Sequence, residues 1–260
     1  MTTVSRGTAV GLADFGRFTT TLAGFLAGFT IFRALIGRAS LGLQRYELEG
    51  TYETGWDAAD WNTYIATGSG AASTWDANLA CDSIYATWTN TAGSQENLPI
   101  SCVNWWEAYA FCIWDGGFLP SEAEWEYAAA GGSQEREYPW GATDPGTGSQ
   151  YAIYDCYYPS GLASCALGVT NIAPVGTPTL GAGPWGQLDL VGEEWEWNLD
   201  WLASYVDICI DCSYLSPGDY GRVVRGGGFG DGTWALLPPN RSIFPYEPQG
   251  PIGFRCARPP

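Results

Sequence analysis

The stretch Val191-Gly192-Glu193-Glu194-Trp195-Glu196-Trp197 places three carboxylates and two indoles within seven residues. It follows a turn-rich run, Gly181-Ala182-Gly183-Pro184-Trp185-Gly186. In extended backbone, Trp195 and Trp197 point to one side and Glu196 to the other, so both rings enter a core together. Carboxylates this close repel one another unless something cationic sits among them. Two candidates answer that need: a hard metal ion with oxygen ligands and an arginine. A solvated acidic turn beside a Trp-rich core is the alternative.

Composition narrows the chemistry. The 260 residues fit one large domain or two small ones, and 46% hydrophobic content is enough for a sizeable core. With 35 Gly and 16 Pro the chain reads as turns and short elements, not a helical bundle. A formal charge of −17 argues against nucleic acid or an anionic membrane surface as partner and favours cations or a cationic partner. There is no His, and all 11 positive charges are Arg. That removes a histidine base, histidine-ligated zinc or iron, and a Schiff-base lysine. The eight cysteines lack zinc spacing apart from the isolated pair Cys209-Ile-Asp-Cys212, so they read as disulfides of an exported protein.

Along the chain, residues 1–13 read as an N-terminal arm and residues 14–36 as a strand plus an apolar helix. Leu22, Phe25, Leu26, Phe29 and Phe32 recur at helical spacing. The apolar run is too short to span a bilayer, and a signal peptide is its rival reading. Residues 37–100 read as long ordered loops with short helices, pinned by Cys81. Asn104 with Glu107 predicts a capping box. The helix behind it carries Trp105, Ala108, Tyr109, Cys112 and Ile113 on one apolar face and stops at Gly116-Gly117. Ser121 with Glu124 predicts a second box, opening a helix that ends at Gly131-Gly132. Glu122, Glu124 and Glu126 then suit the helix dipole. Cys156 and Cys165 share one loop and bond to each other, while Cys209 and Cys212 lie in another. Arg222-Val-Val-Arg225 runs as a strand into glycines, and Gly253-Phe-Arg-Cys-Ala257 closes the chain as a strand.

Ordered blocks then meet a known family. They are Cys102-Val-Asn-Trp-Trp-Glu-Ala-Tyr-Ala-Phe-Cys112, Leu119-Pro-Ser-Glu-Ala-Glu-Trp-Glu-Tyr-Ala128, Tyr138-Pro-Trp-Gly141, Gly192-Glu-Glu-Trp-Glu-Trp197, Arg225-Gly-Gly-Gly-Phe229 and Gly253-Phe-Arg-Cys256. Together they resemble the formylglycine-generating enzyme (sulfatase-modifying factor) family. The resemblance implies a single α+β domain over residues 1–260, best matched at 102–258. Its fold would be compact, loop-rich and C-type-lectin-like, with little regular secondary structure. The family's Gly-rich first strand is not seen, so either the chain starts late or another subunit supplies that edge.

The resemblance also implies site residues. It pairs Cys112 with Cys256 across about 140 residues, a bridge the chain-entropy argument values at about 4–5 kcal/mol. Cys81–Cys102, Cys156–Cys165 and Cys209–Cys212 complete the set. It places a Ca²⁺ ion at Glu193, Glu196, Val191 and Glu194, with Glu193 standing where the family has Asn. The family's other calcium position has Ile153 in place of Asn and is not carried over. The family's copper-binding cysteines fall at Asp231 and about Leu236, neither a thiol, so no copper is expected. Relatives that oxidise sulfur compounds through histidine-held iron are excluded by the lack of His.

The reading is therefore a non-catalytic, extracellular, cell-surface or periplasmic binding or structural module. Its partners are further copies of itself or an extracellular protein or glycan, without nucleic acid and without a membrane span. Asp231, Trp234, Asn240 and Arg241 form the candidate binding surface. The alternatives are an oxidoreductase acting on protein cysteine and a surface or filament subunit. Arg241 and Arg255 are expected to pair with carboxylates at the core edge, and Asp207 and Asp211 to be solvated loop charges.

Overall fold

Two capping boxes set the helices. In the computed structural model, which describes residues 76–258 except 83, 116, 166–167, 206–212, 216–219 and 245–249, Asn104 Oδ1 accepts the Glu107 N–H and the Glu107 carboxylate accepts the Asn104 N–H. Helix α1 follows as Trp105–Trp114. Ser121 and Glu124 repeat the arrangement at helix α2, Glu122–Ala130, which Gly131 ends in the left-handed conformation. The expectation of one apolar face on α1 needs correcting. Trp106, Glu107, Ala110 and Phe111 are buried as well as Trp105, Ala108 and Cys112, so the helix is enclosed on nearly all sides. Burial pushes the Glu107 carboxyl up to about 8, opposed by the Asn78 amide and the Asn104 N–H.

The opening stretch leads into strand β1, Trp195–Trp201. Strand β2 is Arg222–Arg225, β3 is Arg241–Phe244 and β4 is Ile252–Gly253, in sheet order β3-β2-β1-β4. The β1–β2 and β2–β3 pairs are antiparallel and β1–β4 is parallel. The closing strand is shorter than its sequence suggests. Beyond Gly253 its remaining ladder contact is a bridge from Ala257 to Phe118.

Both faces of β1 are buried, which explains its alternation Trp-Glu-Trp-Asn-Leu-Asp. Trp195, Trp197 and Leu199 pack with Trp105, Phe111, Val224 and Phe254 in the main core. Glu196, Asn198 and Asp200 are buried with them, and Glu196 meets the second cluster, around Trp125. Four buried indoles at this junction donate their N–H: Trp105 to Asn198 O, Trp197 to Val103 O, Trp195 to Asp231 Oδ2 and Trp125 to Glu196 Oε2. A buried Trp so satisfied contributes its apolar area without an orphaned donor.

Disulfides tie the distant parts together. Cys112 bonds Cys256 across 144 residues, Cys81 bonds Cys102 and Cys156 bonds Cys165. No cysteine among the described residues is free. Cys209, Cys212, Asp207, Asp211, the N-terminal arm and the Leu22–Phe32 helix lie outside the described residues. Among the described residues no helix is long and apolar enough to cross a membrane. The α+β, loop-rich architecture matches the expectation from sequence.

Candidate functional site

A tight turn positions the carboxylates. Gly192 and Glu193 both have positive φ, +83° and +72°. Gly192 is required because a Cβ there would lie 2.5 Å from the Ile153 carbonyl oxygen. Glu193 is held in its unfavourable conformation by its N–H on Ile153 O and by its carbonyl, which accepts the Phe229 N–H. The chain then enters β1, and Glu194 and Glu196 leave on the side away from the two Trp rings.

Glu196 has the arginine, not an open face. Arg255 delivers Nε to Glu196 Oε2 and Nη2 to Oε1, and Trp125 Nε1 adds a bond to Oε2 at 2.8 Å. Arg255 also donates to the Leu188 and Asp189 carbonyls. The neighbouring carboxylates hold its pKa up against the cost of burial. This bidentate pair is buried on both sides, with side chains 3% and 4% exposed.

The other two carboxylates are differently placed. Glu193 Oε1 accepts the Ala173 N–H at 2.6 Å, while no donor reaches Glu193 Oε2 or either Glu194 oxygen. Glu193 is 3% exposed and Glu194 5%. Burial pushes Glu193 well above the ordinary carboxylate range, reinforced by Asp189 and Glu194. Burial likewise takes Glu194 up to about 8. The nearby Ser101 hydroxyl opposes that shift without reaching hydrogen-bond geometry, and Glu196 reinforces it. These oxygens line a small cavity of about 10 Å³ with Asp189, Glu196, Gly192, Gly253, Pro99, Ile100 and Phe254. Asp189 Oδ2 accepts the Gly176 N–H.

The calcium set implied by the resemblance can be tested against this geometry. Val191 packs in the second core cluster and does not line the cavity. Glu196 has both oxygens committed to Arg255 and Trp125. Glu193 and Glu194 retain oxygens suited to a hard cation. Glu193, Glu194 and Glu196 thus meet around one cavity without Val191, and only Glu193 and Glu194 offer side-chain oxygens that lack a donor.

The candidate binding surface divides in a similar way. Asp231 Oδ2 takes the Trp195 indole N–H and the Gly228 N–H, each at 2.8 Å. Arg241 pairs with Glu122, donates to Ala203 O and lies over the Tyr205 ring. Asn240 caps a turn through its N–H to Leu237 O, and its carbonyl accepts from Arg225. Trp234 stands apart at 57% exposure, on a short 3₁₀ turn, Thr233–Leu236, anchored by buried Ala235 and Leu236.

Sequence reasoning missed the arginines of β2. Arg225 is fully buried and binds Glu122, Glu126 and Tyr205. Those glutamates are ion-pair partners as well as helix-dipole residues. Arg222 is buried between the rings of Trp105 and Trp201, 3.6 and 4.3 Å from their centroids. The signal was present in composition, since a chain with only Arg as cation and many Trp favours guanidinium–indole stacking.

Comparison with known proteins agrees with this architecture. Residues 37–260 match the family described as the sulfatase-modifying factor enzyme 1-like domain. The formylglycine-generating enzyme of Streptomyces coelicolor is 32% identical over 205 residues, covering 73% of this chain and 62% of that protein. The inactive C-alpha-formylglycine-generating enzyme 2 of Bos taurus is 31% identical over 182 residues, covering 65% of this chain and 55% of that one. The chain therefore matches little more than half the length of these relatives. The solved structure of PvdO from Pseudomonas aeruginosa superposes with a TM-score of 0.50 at 23% identity, covering 67% of each chain, and shares the fold.

Proposed function

The chain belongs to the sulfatase-modifying factor enzyme 1-like domain family, and on that premise we propose that it is a non-catalytic, disulfide-braced binding module on the formylglycine-generating-enzyme scaffold. The observation that carries this reading is the segment after Arg225-Gly-Gly. Where the family places its copper thiolates, Asp231 is spent on the Trp195 indole and Leu236 is 1% exposed in the core. A carboxylate held in that way and a buried aliphatic side chain offer Cu(I) no soft ligand. The six described cysteines are bonded to one another in pairs, which supports an exported, oxidising setting. One of the matched relatives is itself named as inactive.

Binding is assigned to the surface around Trp234. A large exposed ring on a buried, rigid base is the kind of anchor that dominates protein and glycan contacts. Asp231 and Arg241 shape that surface from beneath instead of meeting a ligand directly. The test is an anaerobic Cu(I) titration of the disulfide-intact protein with an oxidation assay on a cysteine-containing peptide. No stoichiometric copper and no peptide oxidation is the expected result. One Cu(I) per chain together with oxidised peptide would overturn the reading.

A further inference from the structure

Two rings stack on the outside of the molecule. Tyr127 lies on α2 between buried Trp125 and Ala128, and Trp185 lies on the turn Gly183-Pro184-Trp185-Gly186. Their centroids are 5.7 Å apart at an interplanar angle of 14°, yet the two residues are 52% and 41% exposed. Both are held rigidly. The Tyr127 ring rests against Gly132, where a Cβ would come 2.8 Å from Cζ and 2.9 Å from the hydroxyl oxygen. The Trp185 turn is closed by the Gly186 N–H on Gly183 O and the Gly183 N–H on Gln187 O, and Pro184 fixes one of its backbone angles. Rings ordered in advance lose little entropy when something binds them.

The surroundings of the pair are anionic. The segment that leaves Gly132 carries Glu135 and Glu137, both exposed. Arg136 between them donates Nε to Gln134 Oε1 and Nη1 to Pro139 O. Elsewhere the chain fills rings beside carboxylates with its own guanidinium. Arg241 lies 3.8 Å over Tyr205 while pairing with Glu122, and Arg225 lies 6.0 Å from the Trp125 ring while pairing with Glu122 and Glu126. Among the described residues no arginine lies over Tyr127 or Trp185. A rigid aromatic face with carboxylates beside it attracts a guanidinium or ammonium group. We propose that the Tyr127–Trp185 pair is a docking site for a basic peptide segment of a partner protein. One Arg or Lys side chain of that segment lies against the exposed ring face, and a neighbouring one meets Glu135 or Glu137. The site is built on α2 and the 183–186 turn and stands independently of any ligand at Trp234.

The experiment is calorimetric titration of the whole chain with octa-arginine, at low and at high ionic strength because a net charge of −17 attracts any polycation. Trp185→Ala and Tyr127→Ala leave the charge unchanged, so they separate ring stacking from attraction at large. Each should weaken binding about tenfold, and the weakening should persist at high salt. Glu135→Gln combined with Glu137→Gln should weaken binding at low salt and lessen its salt dependence. Trp234→Ala should leave the affinity unchanged. Both rings are exposed, so each variant should fold, and either one alone carries the test if the other does not. Absence of octa-arginine binding by the unaltered protein, or binding unchanged in the ring variants, would overturn the proposal. Binding of cellohexaose in place of octa-arginine would also overturn it, by assigning the rings to a glycan.

Discussion

Glu196 and Glu194 lie two residues apart, are buried to a similar degree and have opposite surroundings. Glu196 has a bidentate arginine and an indole N–H. Glu194 has no donor at either oxygen. A carboxylate inside a protein can be neutralised by a fixed protein cation or left for protons and bound ions. Glu196 on β1 and Glu194 just ahead of it show both solutions. The first makes a permanent brace between β1 and the closing segment, and in the second burial pushes the Glu194 carboxyl up to about 8.

The comparison can be broken most severely at the segment that delivers Arg255. Replacing Cys112 and Cys256 by Ala should cost about 4–5 kcal/mol in denaturant unfolding, since the bridge closes a very long loop beside Arg255. If stability is unchanged, the closing segment is held without the bridge and the brace is weaker than described. Arg255→Met strands Glu196 and should cost about 3–5 kcal/mol, the range for removing one partner of a buried pair. The double variant Arg255→Met with Glu196→Leu should recover much of that loss, and failure to recover would mean that Arg255 acts mainly through the Leu188 and Asp189 carbonyls.

A third carboxylate of the strand sharpens the contrast. Asp200 is bonded to the Glu122 and Tyr214 N–H groups, but burial still pushes it from 3.8 up to about 6. Its folded-state pKa lies above its unfolded one, so its contribution is greatest below pH 3.8 and declines as pH rises to about 6. The slope is at most about 1.4 kcal/mol per pH unit. Asp200→Asn should flatten stability over that window, measured as denaturant midpoint against pH. A parallel curve would show that backbone N–H groups alone hold Asp200 ionised. The smallest effect is expected at Trp234→Ala, which should change stability by under about 0.5 kcal/mol. A large loss there would place Trp234 in the packing instead of on a binding surface.

Much of this was legible in the sequence because it is local. The capping boxes need only the i to i+3 relation, and the Trp195/Trp197 pair needs only the two-residue period of a strand. Strand β3 was not foreseen, because Arg241-Ser-Ile-Phe244 is short, half-exposed and without alternation. The choice between metal and arginine at Glu196 stayed open, because Arg255 arrives from 59 residues further along the chain. The burial of Glu107 was hidden for the same reason: Asn78, outside its helix, supplies the amide that meets it. Asp231 read as a surface group until the fold brought Trp195 beside it, whereas the carboxylate partner expected for Arg241 is there as Glu122.

The contrast between Glu194 and Glu196 is tested most directly by infrared difference spectra of the unaltered protein against Glu194→Gln across pH. The account predicts a protonated-carboxyl band that the variant lacks, present at pH 6 and lost as pH rises through about 8. No such band at pH 6 would contradict it.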